Sequence, residues 1–335
     1  MKYLSTKPYM RQQKIIVIVI SVIIVLLNSC HTADKRYIKL AHALDTSHPV
    51  HKAMEFMAQR VQEKSNGQIV INIYPSQQLG TEGQCLELLQ IGVIGLTKVS
   101  AAVMEGIVPE FQIFSFPYIF NDKNHYFKVL DSEIGEELLL TGEEYWLHGL
   151  CYYDAGSRSF YSREKMIDKP EDLTGMKIRV MQSNTAIQMI KYLGGSATPI
   201  SWGELYTALQ GGVVDAAENN PPSFYLSHHY EVCKNYSLDE HTSIPDVLVM
   251  SSRLWNDLNE QEKKCIKSAA MESAEYQRKL WKESEQNSLQ KLEEAGVKIT
   301  HPDKEPFKKK VEPMYEAYQN KQRIYSLINR IKNIN

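Results

Sequence analysis

The chain has 335 residues, and its 38 Lys and Arg against 40 Asp and Glu leave a formal charge of −2. A balance this close to neutral argues against a nucleic-acid partner, which needs a concentrated basic surface. Five cysteines, at positions 30, 85, 151, 233 and 265, form no Cys-x-x-Cys pair and stand at no zinc spacing from a histidine, so neither a metal centre, a redox motif nor another cofactor is expected.

The first residues are polar and basic, with Lys2, Lys7, Arg11 and Lys14, and Ile15 to Leu27 is apolar apart from Ser21. That run is short for a membrane span. It closes on Leu27-Asn28-Ser29-Cys30, which resembles a bacterial lipobox. The resemblance implies a signal peptide over 1–29, cleavage before Cys30, a diacylglyceryl group on its sulfur and a tether over 30–36. The alternative is an uncleaved anchor with an incidental cysteine. Either way the body lies outside the cytoplasm, tethered to a bacterial membrane. Removing the four N-terminal cations takes the formal charge from −2 to −6. Among Cys85, Cys151, Cys233 and Cys265, one disulfide and buried free thiols are equally open.

About three hundred residues then remain, enough for two lobes with separate cores. Strand patterns over Tyr37–Ala43 and Ile69–Tyr74 alternate with helix patterns over Val50–Ser65 and Glu82–Ile91. Such alternation predicts an α/β fold. Phe111 to Phe120, bracketed by Pro109 and Pro117, reads as packed core and crossover. Strand patterns recur at Gly149–Tyr153, Ser159–Ser162 and Lys177–Met181, followed by a helix over Asn184–Leu193.

In Lys177–Met181 the period of two puts Ile178 and Val180 on one face and Arg179 on the other. A guanidinium stays protonated and matches a carboxylate bidentately, so an inward arginine is either one half of an internal salt bridge or a cationic clamp for an anion. Downstream, Glu204–Leu209 predicts a helix stopped by Gly211-Gly212, and Val213–Ala217 a short buried strand ending at Glu218-Asn219-Asn220. Ligands in open α/β sheets sit beyond such strand ends.

From Asn259 the pattern is one long helix, with Asn259 and Glu262 as a capping box and Gly296 at its stop. It would extend roughly 50 Å and could brace both lobes. Ile266, Ala269, Ala270, Tyr276, Leu280, Leu289 and Leu292 form a broken apolar stripe, and Ser273, Ser284 and Ser288 interrupt any coiled-coil seam. Lys308-Lys309-Lys310 and the C-terminal basic run read as a solvated face.

These segments carry a family resemblance over nearly the whole body. Tyr74-Pro-Ser-Gln-Gln-Leu-Gly80, Pro109–Phe114, Phe116-Pro-Tyr-Ile-Phe120, Asp172–Met181, Glu204–Gln210, Val213-Val-Asp215, Glu218-Asn219 and Tyr230-Glu-Val232 resemble the solute receptors of tripartite ATP-independent periplasmic (TRAP) transporters. The resemblance implies a two-lobed periplasmic-binding-protein fold with crossing hinge strands and a long bracing helix. The expected lobes are 37–155 with 245–284, and 156–244 with 285–330. It implies binding without chemistry: an organic acid is captured and passed to a permease of small and large membrane subunits driven by an ion gradient. Within the family, Tyr153–Tyr161, Glu218–Pro222 and Cys233–His241 resemble the branch that binds sugar acids, typically hexuronates such as glucuronate or galacturonate.

The resemblance assigns Arg179 to the ligand carboxylate, with Arg158 and Asn219 beside it; the alternatives are a hinge salt bridge for Arg158 and a cap on the strand end before Pro221-Pro222 for Asn219. Trp202 is expected to stack on a sugar face or to pack in the core, and Glu82 to accept hydroxyl hydrogen bonds or to stabilise its helix N-terminus. His42, at the end of the first strand, and Glu240 and His241, at a crossover, are further candidates, with a satisfied core histidine as the alternative reading. An enzyme is not expected, because no Gly-x-Ser-x-Gly elbow, His-Glu-x-x-His motif or glycine-rich phosphate loop is present. A different organic acid, or a ligand-sensing role on the same fold, are the alternatives.

Overall fold

The computed structural model describes residues 35–334. Cys30 and the segment before it lie outside the described residues. Among the described residues eleven strands form two sheets. The first sheet joins β1 (Arg36–Ala41), β2 (Ile69–Tyr74), β3 (Leu96–Ser100), β4 (Leu147–Tyr153) and β10 (Asp246–Ser251) in the order β2-β1-β3-β10-β4. The second joins β5 (Arg158–Ser162), β6 (Lys177–Val180), β7 (Ser196–Pro199), β8 (Ala216–Asn219), β9 (Asn235–Thr242) and β11 (Lys298–Thr300) in the order β11-β9-β5-β8-β6-β7. Each sheet is mixed: β1 runs parallel to β3 and β6 to β8, whereas β10 and β5 run antiparallel to both of their neighbours.

Each sheet has a buried core on both of its faces. In β10, Val247 and Val249 enter a core with Leu86, Phe111 and Phe114, while Leu248 and Met250 enter another with Val50, Met54 and Ile266. The second sheet repeats this. Ile178, Val180 and Phe160 pack on one side, Tyr161 and Ala217 on the other. Arg179 therefore projects from the face opposite Ile178 and Val180, as the period of two requires.

The chain crosses between sheets at 154–157 and at 243–245, and the Oγ atoms of Ser157 and Ser243 lie 3.1 Å apart where the crossings meet. A helix over Glu260–Glu294 runs past both sheets. Its capping box is the predicted one: the Asn259 side chain accepts from Gln261 N and Glu262 N, and Glu262 accepts from Asn259 N. The polar residues in its stripe do specific work. Ser273 bonds the Tyr153 hydroxyl at 2.9 Å, and Gln277 brackets Asp154 by accepting from its N–H at 2.8 Å and donating to its carbonyl at 2.7 Å. The helix thus holds the first crossing through hydrogen bonds. Gly156, with φ of +58°, sits so close to the helix that a Cβ would lie 3.0 Å from Trp281 Nε1.

Two expectations change. The predicted strand 213–217 begins at Ala216 and continues through Asn219, because Gly212 turns at φ +70° and Val213 is exposed, its N–H donating to Ala208 O to close the preceding helix. The C-terminal helix Gln322–Lys332, grouped by sequence with the second lobe, packs on the first. Its stripe of Ile324, Leu327, Ile328 and Ile331 joins Phe111, Phe114 and Leu138, and His125 bonds Ile331 O at 2.9 Å. All four described cysteines are free and buried, so no disulfide links the described residues.

Candidate functional site

The cleft between the sheets encloses about 730 Å³ of non-atom space, the open solvent at its mouth included. Strand ends of both sheets line it: Lys98 and Ser100 of β3 and Asp246 of β10 on one wall, Arg158, Arg179 and Asn219 on the other. The walls touch at the rim. His48 Nε2 lies 3.4 Å from Ser223 Oγ, and Gly203 comes so close to Gln77 that an added Cβ would collide with its amide.

Arg179 is 2% exposed, yet among the described residues only its Nε–H has an acceptor, the Ile200 carbonyl at 2.9 Å. Its buried Nη1 has no partner among the described residues. Burial lowers the Arg179 pKa from its ordinary value, the mark of a cation held without a counter-anion. Arg158 differs. Its Nε–H donates to Glu218 Oε2, its Nη2 to Glu218 Oε1 at 3.0 Å and Glu218 O at 2.7 Å, and its Nη1 to Asn219 Oδ1 at 2.8 Å. Four of five N–H groups are thereby committed, leaving one Nη1 proton. Burial opposes charge on both members of this pair, but their mutual attraction outweighs it, raising Arg158 and lowering Glu218 to about 2.

Asn219 Oδ1 also accepts from the Asn220 main-chain N–H and Nδ2, so toward the cleft Asn219 can act only as a donor. Trp202 lines the cleft, half-buried, with its ring centroid 5.2 Å from that of His229. Glu82 lines it too, with Oε1 on the Lys98 ammonium at 2.9 Å and Oε2 accepting from Ser100 N at 3.3 Å.

The remaining three candidates do not line the cleft. His42 is a satisfied core histidine: Nδ1 accepts from Leu44 N at 3.1 Å, so Nε2–H donates to His51 Nδ1 at 2.9 Å, and burial lowers its pKa to about 2. Glu240 is exposed and pairs with Lys304 outside the cleft. His241 is fully buried behind Arg158, stacked on Phe160, with Nδ1 2.8 Å from Asp239 and Nε2 3.6 Å from Glu218. Burial opposes its charge, but Asp239 and Glu218 overcome that and raise its pKa to about 9.

Sequence reasoning missed Lys98, Asp246, Glu218 as a pairing residue, and Trp281, which lines the cleft and whose buried Nε1 has no partner among the described residues. A signal existed for Lys98: it is a charge in the middle of the buried strand Leu-Thr-Lys-Val-Ser. Among the described residues no cluster of side chains is arranged to hold a metal ion, and no helix is long and apolar enough to cross a membrane.

Residues 40–322 match DctP, the bacterial extracellular solute-binding protein family 7. The chain belongs to this family. It is 39% identical to the uncharacterized protein YiiZ of Salmonella typhimurium over 297 residues, 88% of this chain and 90% of that one. It is similar to a TRAP periplasmic solute-binding protein of Xanthobacter autotrophicus Py2 crystallised with β-D-galacturonate, with a TM-score of 0.86 and 38% identity over 89% of this chain and 100% of the other. A second such protein, from Chromohalobacter salexigens with bound D-glucuronate, has a TM-score of 0.86 and 36% identity over 88% of this chain and 99% of the other. The chain is therefore a TRAP-type solute receptor with the two-lobed α/β fold of these proteins; its family role is binding. Receptors of this family bind organic acids and work with membrane permeases, and its relatives include periplasmic binding proteins.

Proposed function

We propose that this receptor captures a hexuronate such as glucuronate or galacturonate and hands it to the small and large membrane subunits of a permease driven by an ion gradient. The single observation that carries the reading is the Arg179 guanidinium, buried in the cleft wall with Nη1 unpartnered. A carboxylate is the natural complement of such a group. Arg158 contributes its one free Nη1 proton, Asn219 its Nδ2 amide, Trp202 a ring face for the sugar, and Glu82 acceptors for hydroxyls. His42, Glu240 and His241 have no ligand contact in this reading; His241 supports Glu218, which supports Arg158. The hexuronates bound by the Xanthobacter and Chromohalobacter relatives favour the same ligand class.

The lobes that close on the ligand are taken as 37–155 with 245–284 and 156–244 with 285–321, the final helix moving with the first. Cys30 carries the lipid that keeps the receptor at a membrane outside the cytoplasm; intact-mass measurement should show loss of residues 1–29 and a diacylglyceryl adduct, and an unmodified N-terminus would refute the anchor. For the ligand, a thermal-shift screen across hexuronates, aldonates, keto-acids, dicarboxylates and sialic acid is decisive, since a ligand stabilises in proportion to the logarithm of its concentration over Kd. Hexuronates should give the largest shift without being consumed; a shift confined to dicarboxylates would overturn the assignment.

A further inference from the structure

The wall opposite Arg179 is built around one buried cation with two anions. Lys98 is 2% exposed, and its ammonium donates to Glu82 Oε1 at 2.9 Å and Asp246 Oδ1 at 3.2 Å. Glu82 Oε2 takes the Ser100 N–H at 3.3 Å, while Asp246 Oδ2 receives no hydrogen bond from the described residues. One ammonium between two carboxylates leaves this wall with a net negative charge and at least one free acceptor oxygen. Burial and the nearby Glu82 raise the Asp246 pKa, with Lys98 opposing, whereas Lys98 is held protonated by its two carboxylates against the cost of burial. The cleft is thus polarised, with an unpaired guanidinium on one side and surplus carboxylate on the other.

We propose that Lys98, Glu82 and Asp246 form a charge filter that admits an acid with one carboxylate and hydroxyl donors at its far end, and rejects the dicarboxylate of the same skeleton. The inference rests on the proposed function only in placing one ligand carboxylate on Arg179. A hydroxyl at the far end donates to Asp246 Oδ2 or Glu82 and satisfies them. A second carboxylate at that end brings only acceptors, beside two existing carboxylates and a lysine whose charge they already balance. Like-charge contact in a desolvated site discriminates strongly, and a buried acceptor left without its donor adds to the loss. Oxidising C1 of a hexuronate to a carboxylate, which gives the aldarate, converts the accepted end into the rejected one.

The test is calorimetric titration of the purified protein with galacturonate against galactarate and glucuronate against glucarate, repeated in Asp246→Asn and Glu82→Gln. In the native protein the hexuronate should bind at least about 100-fold more tightly than its aldarate, and Asp246→Asn should shrink that ratio by about tenfold or more, mainly by gain of aldarate binding. Glu82→Gln, at a partly exposed position, provides the same reading if Asp246→Asn folds poorly, and the ratio is insensitive to a general loss of stability. Equal binding of hexuronate and aldarate, or a ratio unchanged in both variants, overturns the filter. If no hexuronate binds, the proposed function fails by itself, and the pair gluconate against glucarate decides the filter: a preference for glucarate refutes it, a preference for gluconate that either variant erodes supports it.

Discussion

Strands β5 and β6 each carry one buried arginine into the same cleft wall, and the two side chains are in opposite electrostatic situations. Arg158 of β5 is clasped by Glu218 and Asn219 with four of its donors used, whereas among the described residues Arg179 of β6 has only the Ile200 carbonyl. The difference lies in registry: β5 pairs antiparallel with β8, which sets Ser159 opposite Asn219 and Phe160 opposite Glu218, so the β8 side chains reach back to Arg158. Arg179 instead stands opposite Ala217 and Thr198, neither of them acidic. A buried cation already paired by the protein holds the fold together, and one left unpaired is available to a ligand.

The sharpest way to test this contrast is to remove each charge in turn. Arg179→Met should cost roughly 3–5 kcal/mol of hexuronate affinity, because the ligand carboxylate would be buried without a counter-charge. Its unliganded melting temperature should hold or rise, since an uncompensated buried charge has been removed. Calorimetry finding unchanged affinity would sink the clamp. Arg158→Met should do the reverse, lowering stability in urea by roughly 3–5 kcal/mol because buried Glu218 loses its bidentate partner and is left with His241 Nε2 at 3.6 Å as counter-charge. Adding Glu218→Leu to Arg158→Met should recover much of that loss; a double variant no more stable than the single one would mean that the pair is not what Arg158 supports.

How far this contrast was readable beforehand depends on the sequence distance involved. The strand bearing Arg179, the helix capped by Asn259 and Glu262, and the strand–helix alternation of the first sheet rest on local periodicity and capping, and they are where the sequence placed them. Whether Arg179 or Arg158 was the paired arginine was not legible, since Glu218 reaches Arg158 across 60 positions by strand registry alone. The Lys98–Asp246 contact spans 148 positions and depends on β10 returning to the first sheet beside β3. Which of the two readings of His42 applies was not legible for a related reason: its partner His51 lies on the following helix, and no pattern within the first strand reveals it. The strand at 213–217 was misplaced because an apolar Val-Val pair outweighed the Gly-Gly turn before it, and Val213 turned out to be exposed.

A smaller effect sharpens the role of the network behind Arg158. His241 is charged in the fold, between Asp239 and Glu218 with only the Phe160 ring stacked against it, so its pKa stands at about 9 against an ordinary 6.5. A raised folded-state pKa stabilises fully below the unfolded value and loses that contribution as pH rises through the folded one. His241→Gln should therefore cost about 1–3 kcal/mol near pH 6 and distinctly less near pH 10. Urea midpoints at the two pH values would show it, and an equal deficit at both would mean that the histidine packs without its charge.

His42 provides the opposite case in the same residue type, and the smallest change. Its ring faces His51, His48 and Lys98 with only Asp45 to favour a proton, and burial as the largest cause lowers its pKa to about 2. A folded pKa below the unfolded one means that the unfolded chain binds the proton first. The neutral ring therefore contributes above pH 6.5 and loses that contribution as the pH falls toward the folded value. His48 and His229, both lowered to about 3 mainly by burial, act in the same direction. The native melting temperature should thus decline between pH 6.5 and 4. His42→Asn, which keeps an acceptor for Leu44 N and a donor for His51, should cost about 1 kcal/mol at pH 7.5 through imperfect geometry and less at pH 5, because the variant no longer has that proton to exclude. A deficit that instead grows on acidification would mean His42 is protonated in the fold, and a proton shared across the His42–His51 pair would then have to be neutralised by Glu55, which lies 3.3 Å from His51 Nε2.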